Sequence, residues 1–278
     1  MAPSVILDGR AVAERIKQEL QRTLKALAAR PTLAILSFNT PASSLYRKAQ
    51  QEQAVSLGIG IKELIRSTDV TQATVEADIQ RWNNDPKVHG IFVHQPLPTQ
   101  LDPQRISASI DPRKDVEGIH PQNSARRFFA KARIGSCTAL AVMRLIEETG
   151  VPLEGKDAVI VGHSEIVGRP VSMLLLDTLA TTTVCHVATK NLKAHVSRAD
   201  VLVVAVGKPQ LIKGAWIKQG AVVIDVGINV VGGKVVGDVE FEAARARAGF
   251  ITPVPGGVGP VTVMMVMKNT LEAFKLQR

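Results

Sequence analysis

The hydrophobic positions in the first half of the chain alternate between helical spacing and short apolar runs. From residue 11 to residue 27, apolar side chains recur at intervals of three and four residues, which predicts an amphipathic helix. The segments 41–57 and 71–82 keep the same spacing, and the apolar runs 33–36 and 90–93 are typical of short buried strands. Strands that alternate with helices in this way indicate βαβ units.

The second half repeats the alternation more regularly. A long helix is predicted from about residue 137 to residue 149, and four apolar runs follow it, separated in several places by segments of helix length. These runs cover residues 158–161, 183–185, 201–205 and 221–225. Parallel strands connected by helices form a doubly wound sheet, so an α/β fold is expected.

Two segments lack periodicity. Residues 251–261 read ITPVPGGVGPV, with three prolines, three glycines and no charged side chain. Such a run predicts a rigid loop, neither helix nor strand, that leads into a helix over 263–271 and suits the wall of a ligand pocket. A buried connection between the last strand and the last helix is the alternative. Residues 111–123 form a second aperiodic loop, which is dense in charge.

A nucleotide-binding signal lies at residues 161–170, VGHSEIVGRP, where a predicted strand turns into a predicted helix. The spacing of Gly162 and Gly168 is too long for GxGxxG, so the motif by itself is weak. About 20 residues on, the next strand ends without the carboxylate that would bind a ribose 2′-hydroxyl. Basic groups stand nearby instead: His163, His186 and Lys190.

Composition excludes several classes of function. The 278 residues are 45% hydrophobic and 21% charged, which is typical of a folded globular protein. The excess of 34 Lys and Arg over 25 Asp and Glu gives a net charge of +9, but aromatic residues make up only 4%, so no nucleic-acid partner is expected and an anionic small ligand fits equally well. The two cysteines predict neither a disulfide nor a metal site. No signal or membrane segment is predicted, so a cytoplasmic protein is expected.

Seven separated motifs resemble the bifunctional methylenetetrahydrofolate dehydrogenase/methenyltetrahydrofolate cyclohydrolase family, in order over essentially the whole chain. They are ASSLY ending at Tyr46, KDVEGIHPQN at 114–123, GHSEIVGRP at 162–170, CHVATKNL at 185–192, VGKP at 206–209, IDVGIN at 224–229 and TPVPGGVGP at 252–260.

The resemblance implies a folate site and a dinucleotide site. Tyr46 would stack on the pterin, and the loop residues Pro255, Gly256, Gly257, Val258 and Gly259 would line its other side. Gly162, His163, Ser164 and Ile228 would contact the cofactor, which is expected to be NADP, with NAD not excluded. The substrates would be tetrahydrofolate derivatives, with polyglutamylated forms expected. A homodimer is also expected.

Three departures from the family pattern fall in the expected folate site. Gln50 stands where the family has its catalytic lysine, His94 replaces the glutamine partner of that lysine, and Glu117 replaces the aspartate that would hold the pterin. These residues and Tyr46 are the candidate catalytic residues. At the cofactor site, His163 replaces the usual arginine.

A neutral amide carries no proton and no positive charge near pH 7, so Gln50 is expected to impair cyclohydrolase chemistry before hydride transfer. Three alternatives stay open: His94 substitutes for the lysine, the protein binds folate or nucleotide without turnover, or it is a dehydrogenase for another anionic substrate. Two α/β domains are expected. Residues 1–138 with the C-terminal helix 268–278 would form the catalytic domain, and residues 139–267 the Rossmann-type dinucleotide-binding domain.

Overall fold

We describe the protein from a computed structural model. It describes residues 4–129 and 132–278, and of residues 41–45 it describes the backbone alone. The strands are β1 Val5–Ile6, β2 Thr32–Phe38, β3 Gly60–Arg66, β4 Gly90–Val93, β5 Asp157–Val161, β6 Thr181–Cys185, β7 Val201–Val204, β8 Val222–Asp225, β9 Asn229–Val231, β10 Lys234–Val236 and β11 Phe250–Ile251. The helices are α1 Gly9–Lys25, α2 Pro41–Leu57, α3 Gln72–Asn83, α4 Pro103–Ser109, α5 Pro121–Phe128, α6 Cys137–Glu147, α7 Gly168–Leu176, α8 Leu192–Arg198, α9 Phe241–Arg245 and α10 Val258–Leu276.

The chain divides into two compact units. Residues 1–14 and 138–262 form one unit, here called the nucleotide unit, and residues 15–137 and 263–278 form the other, called the folate unit, after the site that the sequence predicts in each. The predicted domain boundaries differ from this division in two places: residues 1–14 belong to the same unit as residues 138–262, and the chain returns to the other unit at residue 263 instead of 268. The assignment of a function to each domain stays a prediction at this point.

The nucleotide unit contains a six-stranded parallel sheet in the order β1-β11-β8-β7-β5-β6. Its central strands β7 and β8 are buried along their whole length, as expected for a parallel sheet covered on both faces. Apolar side chains of β5, β7 and β8 pack with those of α8 and α9 into one core. The short strands β9 and β10 form a separate antiparallel ribbon.

The folate unit contains a three-stranded parallel sheet in the order β3-β2-β4. Strand β2 lies at the centre and is buried from Leu33 to Phe38. Helices α3 and α4 pack against the sheet through Val75, Ile79 and Ile106, which belong to the same apolar core. Helix α3 begins where the sequence predicts it, because the Thr71 side chain accepts a hydrogen bond from the Thr74 N–H and caps the helix.

The prediction of a rigid loop over the whole of residues 251–261 is wrong at both ends. Ile251 belongs to β11, and α10 already begins at Val258. Pro260 lies in the first turn of α10, where the missing N–H costs nothing because that turn has no internal acceptor for it. The rigid loop is therefore limited to residues 252–257. Among the described residues, no helix is both long and apolar enough to cross a membrane.

Candidate folate and dinucleotide sites

Two predicted site residues of the folate unit share one face of α2. Tyr46 and Gln50 are four residues apart, so they are neighbours along the helix surface. Gln50 is completely buried. His94 follows β4 directly, and its backbone N–H donates to the Leu36 carbonyl at 2.8 Å, which continues the pairing with β2. The sheet edge and the helix thus hold these three side chains in fixed places.

Gln50 and His94 form a buried pair. The His94 Nε2 lies 2.8 Å from the Gln50 Oε1, and only 2% of His94 is exposed. Because the amide oxygen is an acceptor, the Nε2 carries the proton in this contact. The His94 ring also meets two aromatic rings edge-on, Phe92 at 5.0 Å and Tyr46 at 5.7 Å between centroids. Contacts on several sides therefore fix the orientation of the His94 imidazole.

Glu117 lies in the aperiodic loop 111–123. The carboxylate of Asp115 organises this loop through hydrogen bonds. The buried Asp115 accepts hydrogen bonds from the Gly118 N–H at 3.0 Å, the His120 N–H at 2.9 Å and the Asn123 Nδ2 at 2.9 Å. Helix α10 fixes the same loop, since the Asn269 Nδ2 donates to the Val116 carbonyl at 2.8 Å. The position of Glu117 is thus set by its neighbours in the chain.

Burial makes Glu117 and His94 neutral near pH 7. Desolvation raises the pKa of Glu117 to about 8, and the nearby charge of Asp115 adds to the shift. Desolvation lowers the pKa of His94 to about 4, and the charge of Arg47 acts in the same direction. Glu117 is therefore a protonated acid and His94 an uncharged imidazole. Burial also raises the pKa of Tyr46 well above its usual value.

At the predicted folate site, two side-chain polar atoms are buried without a hydrogen-bond partner among the described residues. They are the Gln50 Nε2, a donor, and the Glu117 Oε2. Buried polar groups in proteins are nearly always paired, so unpaired ones require an explanation. A flat heterocycle with ring nitrogens and an exocyclic amine, such as a pterin, offers partners for an amide and for a carboxyl group.

The nucleotide unit contains a cavity of about 440 Å³ at the carboxyl ends of its central strands. Three loops line it, one after each of β5, β6 and β7. The lining residues are Val161, Gly162, His163, Ser164, His186, Val187, Thr189, Leu192, Ala205, Val206, Lys208 and Leu211. Ligands of open α/β sheets bind at this edge. The sequence prediction included Gly162, His163 and Ser164, and the structure brings all three to the cavity.

The turn after strand β5, which lines this cavity, requires glycine. Gly162 has φ of +122°, and a Cβ there would lie 2.3 Å from the Ala205 carbonyl oxygen. A Cβ on Gly168 would lie 2.1 Å from the Gly162 carbonyl oxygen, so the first turn of α7 packs directly on the loop. Close backbone approach beside a helix N-terminus suits a pyrophosphate, and the apolar wall suits an adenine. These residues therefore fit one half of a dinucleotide.

A buried carboxylate supports the third loop of the cavity. Asp238 accepts hydrogen bonds from three consecutive N–H groups, those of Val206 at 2.7 Å, Gly207 at 3.0 Å and Lys208 at 2.8 Å. Asp225 in turn accepts from the Asp238 N–H at 3.0 Å, and burial raises the pKa of Asp225 to about 7. The sequence reasoning missed Asp238, because a lone aspartate between valine and glycine carries no pattern.

The remaining predicted contacts lie elsewhere in the nucleotide unit. The Gly256 carbonyl accepts a hydrogen bond from the Gly9 N–H at 3.0 Å, which holds the loop 252–257 against the start of α1. Ile228 is 69% exposed and is not among the residues that line the cavity. The roles predicted for Ile228 and for residues 255–259 stay predictions.

The two units define a class of protein: a two-domain α/β protein in which the nucleotide unit has the parallel sheet and the strand-end cavity of a dinucleotide-binding domain. Two family models agree with this class. The tetrahydrofolate dehydrogenase/cyclohydrolase catalytic domain matches residues 7–117, and the NAD(P)-binding domain of the same family matches residues 136–278. The chain belongs to the tetrahydrofolate dehydrogenase/cyclohydrolase family.

Similar proteins cover the whole chain. The bifunctional protein FolD 2 of Geobacter sulfurreducens is 47% identical over 278 residues, which are 98% of each chain. The structure of the bifunctional enzyme FolD from Campylobacter jejuni is 40% identical, covers 99% of this chain and 100% of its own, and has a TM-score of 0.95. FolD of Trypanosoma brucei, solved with NADP and an inhibitor, is 38% identical, covers 99% of each chain and also has a TM-score of 0.95.

These comparisons confirm the predicted family, the two-domain α/β fold with a Rossmann-type domain, the enzyme class and an NAD(P) cofactor. They test neither the effect of Gln50, His94 and Glu117 nor the roles of single residues.

Proposed function

We propose that this protein is an NADP-dependent 5,10-methylenetetrahydrofolate dehydrogenase in which hydrolysis of the methenyl ring is slow or lost. One observation carries the proposal. At the place where the family pattern has a lysine, the chain has a completely buried glutamine, held at 2.8 Å by an imidazole whose pKa burial lowers to about 4. The pair supplies no positive charge and no readily exchanged proton at pH 7.

Dehydrogenation does not depend on such a proton. The methylene carbon loses a hydrogen with its electron pair, and the positive charge that remains is shared by the two folate nitrogens. The bound nicotinamide supplies the hydride acceptor. The protein has to position the carbon, and proximity of this kind lowers a barrier without acid or base. Tyr46 would stack on the pterin, while the unpaired Gln50 Nε2 and Glu117 Oε2 would bind its polar edge.

Methenyl hydrolysis depends on protons at two points. Water adds to the methenyl carbon and loses a proton, and the bond from that carbon to one ring nitrogen then breaks as the nitrogen is protonated. A positioned acid or base contributes about 10² to 10⁴ in rate to such steps. Gln50 cannot exchange a proton, and His94 is a weak base because of its low pKa. This step is therefore expected to be close to the uncatalysed rate.

Two separate assays test the proposal. Reduction of NADP with methylenetetrahydrofolate should proceed, and the methenyl product should accumulate, which its absorbance reveals. Hydrolysis of added methenyltetrahydrofolate should exceed the rate without protein by less than about tenfold. Complete conversion to 10-formyltetrahydrofolate without accumulation would contradict the proposal, and the absence of NADP reduction would favour a binding protein without turnover.

The alternative of a bifunctional enzyme that uses His94 makes a distinct prediction. If the imidazole is the working group, His94→Gln abolishes methenyl hydrolysis and leaves NADP reduction within a few-fold. If the proposal is correct, wild type and His94→Gln both hydrolyse the methenyl ring slowly.

The finer properties of the enzyme also belong to this proposal. We infer acceptance of NAD beside NADP, polyglutamylated folates as substrates, a cytoplasmic location and a homodimer. The acceptance of NAD beside NADP is inferred from His163, because an imidazole binds a phosphate less strongly than the planar guanidinium group of an arginine does. Light scattering during size-exclusion chromatography tests the dimer.

A further inference from the structure

A buried asparagine of α10 binds the loop that carries Glu117. Asn269 is only 1% exposed, and a buried amide group needs hydrogen-bond partners. Its Nδ2 has two N–H bonds, and both are used: one donates to the Val116 carbonyl at 2.8 Å and the other to the Gly135 carbonyl at 2.8 Å. A single side chain therefore joins two segments that are distant from α10 in the sequence.

Strand β4 holds the other side of Val116. The Val116 N–H donates to the Ile91 carbonyl at 3.4 Å, beside a parallel bridge that pairs Asp115 with Ile91. Both backbone polar groups of Val116 are thus bound, the N–H by the sheet and the carbonyl by Asn269. The residue directly before Glu117 is therefore fixed from two directions.

The second segment packs on the residue that follows Glu117. Gly118 has φ of +69°, and a Cβ there would lie 2.2 Å from the Gly135 carbonyl carbon. The Gly135 carbonyl is also the second acceptor of Asn269. Asn269 thus fixes the backbone before Glu117 directly and the backbone after it through Gly135.

The thiol of Cys137 belongs to the same cluster. Its Sγ donates to the Val116 carbonyl at 3.0 Å and lies 3.3 Å from the Asn269 Nδ2. Burial raises the pKa of this thiol well above its usual value, so it stays a neutral donor near pH 7. Because Cys137 is the first residue of α6, the helices α6 and α10 hold one carbonyl together.

We propose that Asn269 is a positioning residue for folate: it holds Glu117 where the carboxyl group meets the polar edge of the pterin. Both N–H bonds of Asn269 are taken by carbonyls, so it acts through the backbone on either side of Glu117. A carboxyl group that is already fixed, with its Oε2 unpaired, loses less freedom when a ligand binds. This inference rests on the proposed function in taking Glu117 as a folate-binding residue.

The first test removes the two donors. In Asn269→Ala the KM for methylenetetrahydrofolate should rise about tenfold, the effect of losing one well-placed hydrogen bond. The kcat of NADP reduction should stay within about threefold, because the polar edge of the pterin is not the reacting carbon. The affinity for 5′-AMP, measured by isothermal titration calorimetry, should not change, since the strand-end cavity belongs to the nucleotide unit.

A double-mutant cycle with Glu117→Ala separates positioning from a general structural role. Glu117→Ala has no carboxyl group left to position, so it should raise the same KM by itself. If Asn269 acts through Glu117, Asn269→Ala should raise KM less than about twofold in the Glu117→Ala background, against about tenfold in the wild type. A merely structural role would give the same factor in both backgrounds.

Two further variants keep the test decisive if Asn269→Ala is unstable. Asn269→Asp keeps the shape of the side chain, and burial between two carbonyl oxygens favours its protonated form, which has one donor. Its KM should lie between those of the wild type and Asn269→Ala. Thr270→Val is the matched control, because it removes the buried hydrogen bond from the Thr270 hydroxyl to the Val266 carbonyl within α10. It should lower the urea midpoint and leave KM unchanged.

Three results would overturn the inference: an unchanged KM in Asn269→Ala, an equal rise in both backgrounds, or an unchanged KM in Glu117→Ala alone. A failure of the proposed function looks different, because the wild type would then not reduce NADP with methylenetetrahydrofolate. The same cycle, measured as dissociation constants of tetrahydrofolate by calorimetry, would in that case decide the role of Asn269.

Discussion

Gln50 and His94 depend on each other in the buried site. Each supplies the described hydrogen-bond partner of the other at 2.8 Å, and both side chains are almost completely removed from solvent. Replacing either one alone leaves a buried polar group without a partner, which costs about 1–3 kcal/mol. A change of function at one position therefore requires a matching change at the other.

The first prediction restores the lysine together with its partner. The double variant Gln50→Lys with His94→Gln should raise methenyl hydrolysis by about 10² or more, because a positioned ammonium can exchange protons. The single variant Gln50→Lys should gain less, since the buried ammonium would meet the His94 ring instead of an amide oxygen and would lie near the charge of Arg47. The measurement is the rate of methenyltetrahydrofolate hydrolysis, beside that of NADP reduction.

Gln51→Lys is the matched control for this prediction. It makes the same chemical change one residue further along α2, where the helix turns the side chain away from the site. Its hydrolysis rate should equal that of the wild type. Equal rates in the control, the wild type and the double variant would contradict the role assigned to residue 50.

The second prediction concerns the charge state of Glu117. Its pKa is raised to about 8 in the folded protein, against about 4.3 for a free side chain. The folded state thus keeps a proton that the unfolded state loses. The stabilisation is fully present below about pH 4 and is lost as pH rises to about 8. Wild-type stability should therefore fall between pH 5 and pH 8 relative to Glu117→Gln, by about 3 kcal/mol.

Urea denaturation at several pH values measures this difference. Glu52→Gln, which removes an exposed carboxylate of α2, should keep the wild-type dependence on pH. Parallel stability profiles for the wild type and Glu117→Gln would show that Glu117 is ionised in the folded protein.

At the scale of elements, the sequence predicted the bounds of a helix or strand best where a single local pattern decided the segment. The helix over 41–57 and the strand over 90–93 have the predicted bounds, because helical spacing and a short apolar run decide these segments locally. The prediction failed at Val258 and Pro260, because the first residues of helix α10 are of types that are also typical of a loop. A proline in the first turn and a proline in a loop look alike in a sequence.

The short elements could not be predicted for a different reason. Strands β1 and β11 have two residues each and exist because β11 pairs with β8 and β1 pairs with β11 at the edge of the sheet. Long-range pairing of this kind leaves no periodic signal. The same holds for the candidate site residues. Sequence motifs indicated Tyr46 and Gly162, whereas Asp238 acts on backbone groups that are distant in the sequence, so no motif indicated it.

The third prediction tests the support of the cavity loop by Asp238. Asp238→Ala removes the acceptor of three consecutive N–H groups at 206–208 and of the Asn229 side chain at 2.9 Å. Buried donors left unpaired should lower the free energy of unfolding by about 2–4 kcal/mol. Because this loop lines the cavity, affinity for 5′-AMP should also fall by about tenfold or more.

Denaturation and calorimetry measure the two effects. Asp238→Asn, which keeps one acceptor oxygen, should lose less of both, and Glu242→Gln on the exposed face of α9 should change neither. Unchanged nucleotide affinity in a destabilised Asp238→Ala would show that the hydrogen bonds support the fold without shaping the cavity.

At the scale of the whole molecule, the family and the fold followed from motifs distributed along the chain. The folded units are nevertheless discontinuous in sequence, since residues 1–14 join the nucleotide unit and residues 263–278 join the folate unit. No local pattern marks such returns, because they arise from packing of distant segments. The predicted domains included the return of the C-terminal helix, five residues late at 268 instead of 263, but did not include the return of residues 1–14 to the nucleotide unit.

The last prediction uses the charge of the whole protein. The chain has a net charge of +9, and each added glutamate of a folate tail adds a negative charge. A basic protein attracts such a tail through its summed field, and salt screens that attraction over about 10 Å at 0.1 M and about 3 Å at 1 M. A pentaglutamate substrate should therefore have a KM about five- to tenfold below the monoglutamate at low salt, with an advantage below about twofold at 1 M salt. The value of kcat should stay the same for both tails, because the tail lies away from the reacting carbon. Steady-state kinetics of NADP reduction with both substrates across a salt series measures these values, and a KM ratio independent of salt would assign any preference to specific contacts instead of the overall field.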